Sequence, residues 1–396
     1  MDISRIKNKK IAIIADWLID FGWAELVISH LLELFPEADI YTSVCYMDHP
    51  MLEGRRVYTS WLQKIPFLGR RHKLAGILRP FAFRNFDLSE YDIIICSSSA
   101  ESKQVAVRRG MHLKRRRRDA GIITEIKKQV IFCYCHTPIR YYWSHYEQYL
   151  NMLEFGFFNP MVRYCFRKLI HFLRKIDLEG AIHVDYFIAN SRTTEERIWK
   201  YYHRKSHVIY PGISLEVDTG RTLQKSQFIH PPEYFIGVGR CIPYKRFDLL
   251  VDAFNQSGRK LILCTATDTT TYRELRARSR SNIEWRFAIS DTEKRSLMAN
   301  ATAFLFPPEE DFGLVPVEAM AVGTPIIAYG KWWATETIID GETGVFFSPQ
   351  TPEALNLAIR RFERMKFDHD AIKKHAENFS KERFQSNISQ FIEHNV

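Results

Sequence analysis

Three features that would narrow the class of protein are missing from this sequence. No run of 18 or more apolar residues occurs in its 396 residues, so nothing in it predicts a membrane-spanning helix. The first residues, Met1 to Arg5, lack the apolar core of a signal peptide, and we therefore expect a cytoplasmic protein. Seven scattered cysteines do not make a disulfide framework. Cys133 and Cys135 have no further ligands at metal spacing, which favours buried core residues.

Positive charge is abundant but unevenly placed. The net charge is +10, and residues 1–200 hold 31 Lys and Arg against 22 Asp and Glu, whereas residues 201–396 hold 25 against 24. A basic first half joined to a nearly neutral second half suggests that the first half meets a polyanion or an anionic membrane.

Short apolar runs alternate with helical patterns along most of the chain, which predicts parallel sheets covered on both faces. The runs are Ile11 to Ala15, Ile93 to Cys96, Val130 to Tyr134, Tyr186 to Ala189, Tyr234 to Val238, Leu261 to Cys264, Ala303 to Phe306 and Ile326 to Tyr329. The pattern restarts after a polar stretch, Thr219 to Pro232. We expect an α/β protein with two doubly wound, Rossmann-like domains that face each other across a cleft. The predicted divisions are residues 1–218, a linker at 219–232, residues 233–378, and a final helix at 379–396 that returns to the first domain.

The most informative segment runs from Pro307 to Pro325 and follows a predicted strand, where open α/β folds bind ligands. Gly313 permits a tight turn, and Pro316 suits the first position of a helix, which would place Glu318 in its first turn. Helix-start amides bind negative charge, and carboxylates accept hydrogen bonds from hydroxyl-rich groups. Taken alone, Glu318 could simply complement the helix dipole and Glu310 be an exposed loop acid. The whole string favours a ligand site.

The Glu310 to Glu318 spacing resembles the Glu-x7-Glu motif of the retaining GT-B glycosyltransferases of family 4. The residues between and around the two glutamates resemble those of bacterial O-antigen and exopolysaccharide mannosyltransferases. Further segments fit the same family in order along nearly the whole chain. They are Asp16-Trp17 leading to Ala24-Glu25, Asn85 to Asp92, Cys135 to Tyr141, Ala189 to Arg192, and Gly237 to Arg246.

The resemblance implies a role for each matching residue. Arg240 and Lys245 would hold the donor diphosphate, which suits a rigid fork and a mobile point charge. Glu318 would bind the nucleotide ribose, Glu310 the hydroxyls of the transferred sugar, and His136 would lie beside that sugar. The implied catalytic set is His136, Glu310, Arg240 and Lys245. The implied donor-binding set is Gly22, Gly239, Arg240, Lys245, Glu310, Phe312, Gly313, Leu314, Val315 and Glu318.

The resemblance implies front-side attack without a protein nucleophile and without a metal or other cofactor, so that cations and backbone amides stabilise the departing phosphate. Asp368-His369-Asp370, the only Asp-x-Asp, is better explained as a turn between helices than as a metal site.

Two departures from the family pattern involve tryptophan. Gly22-Trp23 stands where Gly-Gly is usual, and Trp332-Trp333 stands at a second Gly-Gly position. Because glycine lets backbone amides approach an anion closely, tryptophan there changes the site. The indoles either point away, or stack on a sugar, base or prenyl chain, or fill the site and abolish transfer.

Two aromatic and basic segments, Trp61 to Arg84 and Met152 to Lys175, are candidate membrane-facing surfaces; the alternative is core residues beneath a solvated face. Arg79, Phe81 and Phe83 belong to the first. The run Lys114 to Arg118 is expected to contact lipid phosphate or a diphosphate-linked acceptor, since no nucleic-acid-binding motif accompanies it.

These patterns predict a peripheral enzyme on the inner face of the plasma membrane. It would transfer a hexose, mannose from GDP-mannose, to a lipid-linked saccharide in surface polysaccharide synthesis. The alternative is a catalytically degenerate GT-B scaffold that binds sugar nucleotide, lipid or another polyanion. The oligomeric state is left open by the sequence.

Overall fold

The computed structural model describes residue 6 and residues 8–65, 74–108, 129–144, 146–147, 159–215 and 234–396. The chain divides into two compact units. Unit 1 comprises Met1–Tyr210 together with Phe384–Val396, and unit 2 comprises Pro211–Arg383. The predicted linker at 219–232 and the basic run Lys114 to Arg118 lie outside the described residues, and the predicted domain divisions stay predictions.

Unit 1 contains a parallel sheet whose strand order is β3-β2-β1-β4-β5-β6-β7. The strands are β1 (Ile11–Ala15), β2 (Asp39–Thr42), β3 (Val57–Thr59), β4 (Ile93–Ser98), β5 (Val130–Cys135), β6 (Tyr186–Ala189) and β7 (Ser206–Val208). The order reverses between β1 and β4, which are hydrogen-bonded neighbours. The crevice at such a switch point is where open α/β sheets bind ligands.

Helices cover both faces of this sheet because its central strands are apolar on both sides. The helices of unit 1 are α1 (Trp23–Leu34), α2 (Arg79–Arg84), α3 (Asn159–His183), α4 (Arg192–Tyr202) and the final α12 (Lys381–Asn395). Ile13 and Ile95 pack on one face with α1 and with Ile388 of α12. Cys96 and Cys133 pack on the opposite face, and Cys133 and Cys135 are buried free thiols, as expected.

Unit 2 contains a second parallel sheet, of order β10-β9-β8-β11-β12-β13. Its strands are β8 (Tyr234–Val238), β9 (Lys260–Thr265), β10 (Ile283–Phe287), β11 (Ala303–Phe306), β12 (Ile326–Tyr329) and β13 (Gly344–Phe347). Its switch point lies between β8 and β11, which pair directly. Both sheets therefore have the doubly wound order, and the predicted fold class is confirmed for each unit.

Side-chain caps begin several helices of unit 2. The helices are α5 (Phe247–Ser257), α6 (Thr270–Arg278), α7 (Asp291–Asn300), α8 (Leu314–Ala321), α9 (Ala334–Thr337), α10 (Pro352–Phe362) and α11 (His369–Ala376). Thr269 caps α6 and Ser290 caps α7 by accepting a backbone N–H. Asp368 caps α11 in the same way, so the Asp-x-Asp sequence has a structural role at a helix start.

The first predicted membrane-facing segment is partly wrong. Arg79 and Phe83 are buried, with 2% and 0% of their surface exposed, whereas Phe81 is exposed. Arg79 faces inward because it pairs with the buried Glu101 carboxylate at 2.7 Å. No helix in the described part of the chain is long and apolar enough to cross a bilayer.

Candidate active site

In unit 2 the loops at the switch point carry most of the residues that the sequence motifs single out. Arg240 and Lys245 lie on the loop that follows β8, and Glu310 lies on the loop that follows β11. Because β8 and β11 are neighbours, their carboxyl ends bring these two loops together.

The loop after β8 is held by hydroxyl groups from the end of β9. The Cys241 backbone N–H donates to Thr265 Oγ1 at 3.2 Å and to Thr267 Oγ1 at 3.0 Å. Thr269 Oγ1 donates to the Cys241 carbonyl at 2.6 Å, and the Gly239 N–H donates to the Cys264 carbonyl at 3.0 Å. The backbone on either side of Arg240 is thus hydrogen-bonded to β9 and to the segment that follows it. These bonds restrict the positions that the Arg240 guanidinium can occupy.

Lys245 and Glu310 form a direct ion pair across the switch point. Their side chains are only 10% and 13% exposed, so the pair is largely shielded from water. The Lys245 ammonium also lies over the rings of Tyr244 and Phe306, at 5.8 and 5.6 Å from their centroids. A cation held over aromatic faces in a shielded site is a strong attractor for an anion.

Arg240 is exposed and its guanidinium donates to Tyr244 Oη at 2.9 Å. Tyr244 therefore contacts both cations of this loop, Arg240 through its hydroxyl and Lys245 through its ring. Of the four side chains expected to converge, the structure joins Lys245 to Glu310 and brings Arg240 beside them through Tyr244.

The helix after this loop starts earlier than the sequence suggests. α8 begins at Leu314, with Gly313 as its extended N-cap, so Pro316 is the third helical residue and Glu318 lies in the second turn. The prediction of Glu318 in the first turn is wrong, because proline is tolerated anywhere in the first turn, where no N–H is required. The N–H groups of Leu314 and Val315 have no acceptor within the helix and can bind an anion.

Glu318 forms its ion pair with Lys294 of α7, at 3.1 Å. Lys294 also pairs with Asp291 at 3.0 Å. Burial raises the pKa of Glu318, and the Lys294 ammonium partly offsets this. Lys294 has no motif around it in the sequence, and only the packing of α7 against α8 reveals it.

We expect removal of the Lys294 charge to make donor binding pH-dependent. In Lys294→Met the pKa of Glu318 should rise further, because burial is no longer opposed. A protonated Glu318 accepts fewer hydrogen bonds, so the donor KM of this variant should increase as the pH falls. Lys294→Arg is the matched control and should keep the wild-type profile; a flat profile for both variants contradicts a role for Lys294.

The two tryptophans at the late Gly-Gly position behave differently from each other. Trp333 is fully buried and packs edge-on against Phe306, with ring centroids 5.1 Å apart. Its indole lies so close to Gly313 that an added Cβ there would be 2.4 Å from Trp333 Cζ2. Trp333 therefore supports the start of α8 from inside unit 2, which rules out ligand stacking for this side chain.

Trp332 keeps the backbone of a glycine although it is a tryptophan. Its φ is +61°, in the left-handed region that bulky residues rarely occupy. The turn after β12 therefore contains a left-handed residue at a position where glycine is favoured.

In unit 1 the switch point is organised by Asp16, which directly follows β1. Its carboxylate accepts four hydrogen bonds from the turn after β4. The donors are Ser99 N at 2.6 Å, Ala100 N at 2.8 Å, Ser102 N at 2.7 Å and Ser99 Oγ at 3.1 Å. The buried Asp16 carboxylate thus fixes the two loops of this switch point to each other.

Two buried ion pairs extend this organisation to the residues after β5. Arg79 pairs with Glu101 at 2.7 Å, and Lys103 pairs with Asp177 of α3 at 2.5 Å. Tyr141 Oη donates to Glu101 at 2.6 Å, and Trp143 Nε1 donates to Asp177 at 2.8 Å. The segment after β5 that carries His136 is therefore hydrogen-bonded, through Tyr141 and Trp143, to two buried ion pairs.

His136 directly follows β5, and its ring contacts the buried Ser97 hydroxyl, with 2.8 Å between Nε2 and Oγ. Its backbone is fixed as well, since its N–H donates to the Ser98 carbonyl at 2.9 Å and its own carbonyl accepts from Thr194 at 3.2 Å. Burial lowers the pKa of His136 to about 4, so the imidazole is neutral at pH 7.

Gly22 N-caps α1, and its N–H donates to the Glu25 carboxylate at 3.0 Å. The amide expected to face the donor phosphate is therefore occupied by a side chain of its own helix. Trp23 next to it is exposed and is the first residue of α1.

The Glu25 carboxyl should make the stability of the protein fall as pH rises through neutrality. Burial raises the pKa of Glu25 from 4.5 to about 7, so between these values the folded state keeps a proton that the unfolded state has lost. The free energy of unfolding should then decrease from pH 5 to pH 8, by about 3 kcal/mol from this group.

Glu25→Gln, which can still accept from Gly22, should remove this decrease, as urea titrations at several pH values would show. The exposed Glu37→Gln is the control and should leave the wild-type pH dependence in place. Equal pH dependence in Glu25→Gln and wild type would contradict the assignment.

Residues 218–382 match the family described as Glycosyl transferases group 1. Over 97% of its length this chain superposes on HepE of Anabaena, solved with UDP and glucose, with a TM-score of 0.66, 17% sequence identity and 99% of that chain covered. Residues 218–382 therefore resemble a glycosyltransferase domain, and the likeness to HepE shows the GT-B fold.

Two similar curated relatives are mannosyltransferases. The O-antigen chain mannosyltransferase RfbU of Salmonella typhimurium is 26% identical over 207 residues, which are 49% of this chain and 54% of the relative. The alpha-1,3/1,6-mannosyltransferase ALG2 of Dictyostelium discoideum is 23% identical over 215 residues, which are 43% of this chain and 51% of the relative. The chain spans about half the length of these two relatives.

Proposed function

We propose that this protein is a retaining glycosyltransferase that transfers mannose from GDP-mannose to a lipid-linked saccharide during synthesis of a surface polysaccharide. Support for the donor class comes from the HepE structure, whose ligands are UDP and glucose. Support for mannose comes from RfbU and ALG2, which are named as mannosyltransferases.

The observation that carries the proposal is the shielded Lys245–Glu310 pair at the switch point of unit 2. A diphosphate attracts the Lys245 ammonium, and a sugar hydroxyl can donate to the Glu310 carboxylate. One bound nucleotide sugar can therefore give each of the two side chains a new partner in place of the other. The amides of Leu314 and Val315, which have no acceptor within α8, supply further positive potential.

Charge stabilisation is the main chemistry that these groups offer. The departing nucleoside diphosphate gains negative charge, which Lys245 and Arg240 can neutralise without a metal. Glu318, paired with Lys294, can accept hydrogen bonds from the ribose hydroxyls. The implied place of His136 beside the transferred sugar, and the implied donor contacts of Gly22, Gly239, Phe312 and Gly313, stay predictions.

A peripheral position at the inner face of the plasma membrane is part of the proposal. α3 exposes Met161, Tyr164 and Phe172, which are 61%, 61% and 50% exposed. Its exposed face also carries Lys168 and Lys175. Aromatic side chains mixed with lysines suit the interface of an anionic bilayer.

The competing proposal is a GT-B scaffold that binds without transfer. The observation in its favour is that the Gly22 amide is already bonded to Glu25. Trp333 argues against it, because this side chain is buried beneath Gly313 and supports the start of α8.

The test is titration calorimetry with a panel of GDP-, UDP- and ADP-sugars, followed by nucleotide-release assays. The assays are run with and without anionic lipid vesicles. They are also run with and without a membrane extract, which supplies the acceptor. Binding of GDP-mannose with release that depends on the extract supports the proposal. Binding without release favours the scaffold. Failure to bind any nucleotide sugar rejects both the transferase and a scaffold that binds nucleotide sugars.

A further inference from the structure

Ser97 and His136 form an isolated polar pair at the carboxyl edge of the unit 1 sheet. Ser97 lies on β4 and is 2% exposed, and its Oγ is 2.8 Å from His136 Nε2. Among the described residues, neither Ser97 Oγ nor His136 Nδ1 has another hydrogen-bond partner. The pair therefore has two possible proton arrangements, and their costs differ.

The need of the buried Ser97 hydroxyl for an acceptor determines which of the two proton arrangements is favoured. If His136 carried its proton on Nε2 and donated to Ser97, the Ser97 O–H would be buried without an acceptor. If Ser97 donates to Nε2 instead, the Ser97 proton is satisfied and the imidazole proton lies on Nδ1, which is not one of the structure's buried atoms without a hydrogen-bond partner. The second arrangement costs less and leaves the imidazole proton on Nδ1.

The charge environment keeps the imidazole neutral, so that a tautomer exists to be chosen. Burial lowers the pKa of His136 to about 4, although the Asp16 carboxylate acts in the opposite direction. Asp16 does not hydrogen-bond to the ring because its oxygens accept from Ser99, Ala100 and Ser102. The other neighbouring ring, Tyr134, is an edge contact with centroids 5.3 Å apart.

We propose that Ser97 is a positioning residue that fixes His136 as the Nδ1–H tautomer, so that the imidazole offers a single N–H donor to a hydroxyl oxygen of the bound sugar. The second half of this inference rests on the proposed function, which has His136 at the sugar. The first half concerns the protein without ligand.

The tautomer is measured by long-range ¹H–¹⁵N correlation NMR of the histidine-labelled full chain at pH 7, with His136→Asn used to assign the signals. We expect the Nδ1-protonated pattern for wild type and Ser98→Ala, and a shift towards Nε2 protonation for Ser97→Ala. Ser98 is the matched control because its buried hydroxyl donates to the Ala100 carbonyl and not to His136. An Nε2-protonated wild type, or an unchanged tautomer in Ser97→Ala, overturns the proposal.

The contact with the sugar is measured by titrating GDP-mannose and GDP into the same variants. Ser97→Ala should bind GDP-mannose about five- to tenfold more weakly, as expected for one hydrogen bond, with GDP unchanged. His136→Asn, whose amide can place a donor near the Nδ1 position, should retain more of the sugar affinity than His136→Gln.

Equal losses for GDP and GDP-mannose, or a better His136→Gln, would overturn the assignment of Nδ1–H as the sugar-facing donor. If GDP-mannose fails to bind wild type, the proposed function fails, while the NMR result still decides the tautomer.

Discussion

Lys245→Met should lower kcat/KM for the nucleotide sugar by about 100- to 1,000-fold, the usual loss when one group that stabilises a developing negative charge is removed. The ammonium is shielded, lies over two aromatic rings, and can reach either Glu310 or a diphosphate. Without it, charge on the departing phosphate is opposed only by the exposed Arg240 and by backbone amides. Rates of nucleotide release with a saturating acceptor source measure the effect.

Stability must be separated from chemistry in this experiment, because Lys245→Met also strands the Glu310 carboxylate. Breaking a buried pair by removing one partner typically costs about 3–5 kcal/mol of folding free energy. The double variant Lys245→Met/Glu310→Gln removes both charges and should regain most of that stability while remaining inactive. Arg273→Ala, which breaks an exposed pair with Asp268 in the same unit, is the control and should be fully active. An active, folded Lys245→Met would exclude the proposed role.

Gly313→Ala and Trp333→Ala should each destabilise the protein, and the double variant should be less destabilised than the sum. The Gly313 backbone has a φ of −97°, which any residue can adopt, so the cost of alanine comes from the 2.4 Å approach of its Cβ to the indole. Overpacking of this kind costs about 1–3 kcal/mol. Trp333→Ala leaves a cavity and should cost about 3–5 kcal/mol.

In the double variant the alanine at position 313 enters space that the indole has left, so the coupling should be favourable by about 0.5–3 kcal/mol. Urea unfolding followed by circular dichroism gives the four free energies of the cycle. Gly76→Ala is the control, because its added Cβ would meet nothing nearer than 3.7 Å. Strict additivity would show that Gly313 and Trp333 do not press on each other.

The central strands of both sheets could be predicted because their residues are apolar without interruption. Ala303–Phe306 and Tyr186–Ala189 have the same limits in the structure as in the sequence pattern. The edge strands could not be, since β10 mixes Glu284 and Arg286 with apolar residues and β3 has only three residues. An edge strand is half solvated, so its composition resembles that of a loop.

For the candidate site, motifs predicted which loops matter but not what the side chains contact. The Glu310 motif predicted that the loop after β11 belongs to the site. The structure adds that Glu310 forms an ion pair with Lys245. Lys294 and Ser97 carry no signal, because a lone lysine on a helix and a serine in a strand are common. Their partners, Glu318 and His136, are 24 and 39 residues away and meet them only through the fold.

The last helix of the chain has a consequence for the order in which the protein can fold. Phe384, Ile388 and Ile392 of α12 belong to the same apolar cluster as Ile11 and Ile13 of β1. During synthesis, the first unit therefore lacks part of its hydrophobic cover until the segment after Arg383 has been made. The second unit is one continuous stretch and needs no such late piece. The core of the first unit can therefore be completed only after the whole second unit has been synthesised.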